Sequence, residues 1–154
     1  HSTSRRQRQM CIRDSPTTKP VTPEEWPPKE CDATYKLLSH GPGGLTDPVQ
    51  IAAGTETHPQ VNIDAPWGDE KVQFIATRPI TGNPKIVHHW ILYGPSGEFL
   101  TSWGPGDDDV VALPPDIGMN MPTGKSALRL DMHYYNLEGT QTEPDQSGVE
   151  LCIV

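Results

Sequence analysis

The sequence predicts an all-β domain built as a sandwich of two antiparallel sheets, and three observations predict it. Short β-prone runs recur along the chain, each bounded by Gly, Pro, Asn or Asp. The 17 prolines and 14 glycines make about a fifth of the 154 residues, a level that suits a loop-rich domain and falls short of disorder throughout. No stretch carries an apolar stripe at helical spacing long enough for a helix. Seven or eight short strands in about 120 residues require two packed sheets, a sandwich or jelly roll.

The elements follow in order. Tyr35, Leu37 and Leu38 mark a first strand over Ala33 to Ser39, closed by the turn-rich Gly41-Pro-Gly-Gly44. Further strands are expected over Val49 to Ala53, Val61 to Ile63, Val72 to Ile80, Ile86 to Tyr93, Phe99 to Trp103, Ala127 to Asn136 and Val149 to Val154. In the penultimate run, Leu128, Leu130, Met132 and Tyr134 share one face. Ala127, Arg129, Asp131, His133 and Tyr135 share the other. The first set is the core face by composition, so His133 points outward and Met132 inward.

One domain is the expected count at this length. Residues 1–15, with Arg5, Arg6, Arg8 and Arg13, show neither helical nor strand periodicity and read as a tail outside the fold, similar to translated sequencing adapter. Residues 16–29 are Pro- and Thr-rich and read as an extended linker, so the folded domain is expected over residues 30–154. The formal charge of −8 argues against nucleic acid, whose recognition needs clustered Lys and Arg. No apolar run approaches the roughly 18 residues that span a bilayer, and no signal segment is visible. Of the three cysteines, Cys11 lies in the tail. Cys31 and Cys152 flank the domain and are open to pairing with each other, bonding a partner, or staying free.

Three histidines carry the chemistry. His88 and His89 sit together within Lys85-Ile-Val-His-His-Trp-Ile-Leu-Tyr-Gly94, and His133 lies on the later strand. Three imidazoles on two strands suffice for one copper, zinc, iron or nickel ion. Successive side chains on a regular strand project to opposite faces, so His88 and His89 reach one metal only if a bulge or strand end re-aims one ring. Read structurally instead, one of the pair is buried and the other exposed. His40 and His58 read as loop histidines, Asp107-Asp-Asp109 as a solvated turn, Trp90 and Trp103 as packing or lining residues, and Arg78 as a brace at a strand end.

Five blocks then resemble one family. Val87-His-His-Trp-Ile-Leu-Tyr93, Thr101-Ser-Trp-Gly-Pro-Gly106, Leu113-Pro-Pro-Asp-Ile-Gly118, Leu128-Arg-Leu-Asp-Met-His-Tyr-Tyr-Asn136 and Asp145-Gln-Ser-Gly-Val-Glu-Leu151 are similar, in that order, to the copper type II ascorbate-dependent monooxygenases, in their bacterial variant. That is the family of peptidylglycine α-hydroxylating monooxygenase and dopamine β-monooxygenase. The resemblance covers Val72 to Val154 and fades toward Cys31. It implies a jelly-roll β-sandwich whose copper is held by His88, His89 and His133 and stores an electron taken from ascorbate. It implies a partner too, a carboxyl-terminal domain whose second copper binds dioxygen and abstracts hydrogen from the substrate carbon. No His-x-His pair of that second site occurs here, so the chain is expected to be the amino-terminal half of the enzyme and not to hydroxylate alone. A secreted, periplasmic or cell-surface location goes with this reading, and peptide, amine and other small substrates stay open. Two alternatives remain: a non-catalytic interaction or adhesion sandwich with structural histidines, and a three-histidine zinc site.

Overall fold

A computed structural model describes residues 22–154, leaving the 1–15 tail with its arginines and Cys11, and the linker as far as residue 21, outside the described residues. The described chain is all-β. A single 3-10 turn at Pro23–Glu25 precedes twelve strands: β1 (Ala33–Leu38), β2 (Val49–Ile51), β3 (Thr55–Thr57), β4 (Gln60–Ile63), β5 (Gln73–Ile80), β6 (Val87–Tyr93), β7 (Phe99–Trp103), β8 (Val111–Ala112), β9 (Met119–Asn120), β10 (Leu128–Asn136), β11 (Glu143–Asp145) and β12 (Gly148–Ile153). All eight expected strands form, with no end displaced by more than two residues. The four unforeseen ones, β3, β8, β9 and β11, have two or three residues each, too short for an alternation to register.

The strands build two five-stranded antiparallel sheets and a small β11–β2 pair. The first sheet runs β1-β12-β5-β8, with β9 also on β5; the second runs β3-β10-β6-β7, with β4 also on β10. One apolar cluster joins them. Leu37, Phe74, Val149, Leu151 and Ile153 from the first sheet meet Val87, Trp90, Leu92, Leu128, Leu130, Met132 and Tyr134 from the second. The arrangement is sandwich-like, with each sheet burying its apolar face against the other.

Strand β12 lies between β1 and β5 and is buried at every position, so its outer face needs its own cover. Glu150 on that face accepts from Arg78 Nε at 2.6 Å and from the Trp26 indole N–H at 3.1 Å. The Arg78 guanidinium stacks 5.2 Å from the Trp26 ring. Arg78 therefore braces the middle of the sheet, opposite Glu150 in register, and Trp26, within the expected linker, docks on the domain. Cys31 and Cys152 are disulfide-bonded across 5.4 Å between Cα atoms, within the usual span.

A buried polar network ties β10, β11 and the loop that leads into β6. Asp145 is 3 % exposed and its carboxylate accepts from Tyr134 Oη at 2.7 Å, the Asn83 amide at 2.8 Å, and the Ser147 amide and hydroxyl, each at 2.7 Å. Ser39 Oγ lies 2.7 Å from the same Tyr134 oxygen. Burial pushes the Tyr134 phenol far above its usual range, so it stays a neutral donor.

Candidate metal centre

The alternation expected in β10 holds. Leu128, Leu130, Met132 and Tyr134 are buried, and His133 faces the outside of the second sheet. Met132 is 1 % exposed and belongs to the core. Ala127 is the exception: it is buried rather than outward, because β10 begins one residue later, after Ser126 at φ 46.

The required distortion of β6 is a bulge. His133 pairs with His89 and Tyr134 pairs with Val87, which leaves His88 as the extra residue. Val87 and Trp90 are buried three positions apart, and the two residues between them both face outward. A regular strand would have sent one histidine into the core.

The bulge brings three imidazoles together, with one ring nitrogen from each lying within 4.8 Å of the others. The Nδ1 atoms of His88 and His89 are 3.0 Å apart, and those of His133 and His89 are 3.3 Å apart. Nitrogens about 2.0–2.1 Å from a common metal sit about 2.9 Å apart at a right angle and about 3.3 Å apart at the tetrahedral angle, so the observed spacings match the edges of a coordination shell. Protons account for them less well. His133 Nε2 lies 2.7 Å from Glu56 Oε1; a carboxylate only accepts, so in the neutral ring the proton is on Nε2 and Nδ1 presents a lone pair. A single proton on His89 Nδ1 would then have to serve two neighbours, whereas a cation satisfies three lone pairs at once.

Electrostatics favour the neutral ligand form. The His89 pKa is lowered below 6.5, first by partial burial and then by the charges that His133, His88 and His58 would carry. Imidazole must be deprotonated to bind metal, so the pocket holds His89 in the form a ligand needs.

Glu56 and His58 are the residues that sequence reasoning missed at this site. Strand β3 pairs with β10, Thr57 opposite Tyr134 and Glu56 opposite Tyr135. Continuing that register sets His58 beside His133, and their rings stack at 4.2 Å with 16° between planes. Thr55-Glu-Thr-His58 places two metal-capable side chains two positions apart, hence on one face of a strand, a signal too short to stand out. Among the described residues, Glu56, His58 and His133 are the only other group close enough to hold a metal.

The remaining candidates lie apart from the centre. His40 Nδ1 meets the Gly41 carbonyl at 2.8 Å, a turn contact. Asp107 accepts the Gly104 amide at 2.8 Å and closes a loop. Trp90 is core and its indole N–H has no protein acceptor, while Trp103 pairs opposite it and packs on the core edge. No helix among the described residues is long and apolar enough to cross a membrane. No protein-family model matches the chain, and no curated protein matches it significantly.

Proposed function

We propose that this chain is the copper-binding, electron-transferring half of a copper type II ascorbate-dependent monooxygenase, folded as a jelly roll. The observation that carries the reading is the convergence of three Nδ1 atoms, at spacings of 3.0 and 3.3 Å, on an outward-facing sheet surface. The five ordered sequence blocks support it, and three of them fall on the sheet that bears the centre: β6, β7 with its following loop, and β10.

In this reading His88, His89 and His133 are the ligands. Copper held there would supply a one-electron store, with ascorbate as the reductant in this reading. The protein keeps His89 neutral, aims two neighbouring rings outward through the bulge, and leaves the centre at the surface, where a reductant and a partner domain can reach it. The partner is a carboxyl-terminal domain that holds dioxygen and a peptide, amine or other small substrate. The Cys31–Cys152 disulfide is compatible with an extracellular or periplasmic setting.

Copper titration with electron paramagnetic resonance tests this. One type II copper(II) signal per chain is expected, bleached by ascorbate with one electron per copper. His133→Ala should weaken binding beyond the about 100-fold that outer-shell changes cost. Micromolar copper that does not bind, or binding unchanged in His133→Ala, would sink the reading. The same three nitrogens suit zinc with an open fourth position. Copper(II) outcompetes zinc at most nitrogen sites, so affinity alone does not separate the two. A hydrolytic activity restored by zinc and not by copper would favour the zinc centre.

A further inference from the structure

We propose that Glu56 is the positioning residue of the metal centre, holding His133 in the tautomer that turns Nδ1 toward the ion. The inference rests on the metal-binding reading above and adds a residue outside the three ligands. The two nitrogens of the His133 ring face different partners. Nδ1 is 3.3 Å from His89 Nδ1, and Nε2 is 2.7 Å from Glu56 Oε1. Because a carboxylate accepts and never donates, this contact requires the proton on Nε2 and, in the neutral ring, leaves the Nδ1 lone pair free for a cation. A carboxylate behind a ligating imidazole also raises its basicity and fixes the ring plane.

The alternative role for Glu56 is as a ligand of a second ion, with His58 and His133. Ring geometry speaks against it. His58 and His133 are nearly parallel, 16° between planes at 4.2 Å, so their in-plane lone pairs run side by side instead of converging. His58 acts as a lid on one face of the His133 ring. With His58 stacked above and Glu56 behind, the His133 side chain is only 12 % exposed, although it lies on the outer sheet face. The β3–β10 register supplies both residues from one three-residue strand and its next position.

Two arms test the proposal on the full chain, comparing wild type with Glu56→Ala and Glu56→Gln. Glu56 is 40 % exposed and both variants are expected to fold. In the metal-free protein, long-range ¹H–¹⁵N correlation spectra of the histidine rings should show His133 as the Nε2–H tautomer in wild type and as a mixture in Glu56→Ala. Copper(II) affinity should fall about 10- to 100-fold in Glu56→Ala. Most of that loss should be recovered in Glu56→Gln, whose amide oxygen still accepts from Nε2–H. Wild-type affinity in Glu56→Ala overturns the proposal, as does a Glu56→Gln variant as weak as Glu56→Ala. If wild type binds no copper, the metal reading fails on its own. The tautomer arm then decides Glu56 alone, and an unchanged His133 tautomer in Glu56→Ala overturns its role.

Discussion

His89 is the residue on which the acid sensitivity of the centre turns. It touches both other ring nitrogens, and its pKa is lowered below 6.5 by partial burial first and by the neighbouring imidazoles second. The sign follows directly. Below about pH 6.5 an unfolded chain protonates this side chain while the folded one resists, so the folded state binds fewer protons. Stability is therefore retained above that pH, falls as pH drops through 6.5, and levels off once the folded-state pKa is also passed. Metal binding moves the same way, because protons compete for the lone pairs. Denaturant unfolding of the metal-free protein at pH 7.5 and 5.5 should show a loss of stability on acidification, smaller in His89→Asn. Equal losses in the two proteins would place the acid sensitivity elsewhere.

At the scale of elements, the site is a consequence of one bulge and of what anchors it. The loop entering β6 is fastened at Asn83, whose amide donates to Asp145, and at Gly82, whose amide donates to Ser147 Oγ at 2.9 Å. Tyr134, next to His133, donates to the same carboxylate. Asp145 thus ties β10 to the loop entering β6, and these two strands bear the three histidines. Asp145→Ala would strand several buried donors at about 1–3 kcal/mol each before any water relieves them. A stability loss of about 3–5 kcal/mol is expected by chemical denaturation, with weakened copper binding in the fraction that stays folded. A loss under about 0.5 kcal/mol, the size of an ordinary surface change, would show that the network does not hold the frame. Much of this was legible in advance. Alternation alone separated Met132 from His133, and a shared site for adjacent histidines called for a bulge or a strand end, of which β6 has the bulge. Glu56, His58 and Asp145 were not legible. Their strands are three residues long and polar, and β11 carries Pro144, so no hydrophobic period announces them; only the register with β10 and the loop before β6 gives them meaning.

Across the whole molecule the two sheets divide their work. The first carries the disulfide, the Trp26–Arg78–Glu150 cover and the fully buried β12; the second carries the three-histidine cluster on its outer face, with one apolar cluster between them. The cross-link joins residues 121 apart in sequence, a loop for which the chain-entropy model gives about 4–5 kcal/mol, acting chiefly by restricting the unfolded chain. Its effect should then be global and leave the metal centre as it is. Replacing both cysteines by alanine is expected to cost about 2–5 kcal/mol of unfolding free energy, while copper(II) affinity at a temperature where the variant is folded stays within about twofold of wild type, as for sites that do not share contacts. Copper affinity falling in step with stability would mean that the sheets are mechanically coupled through the core, and the division of labour would not stand.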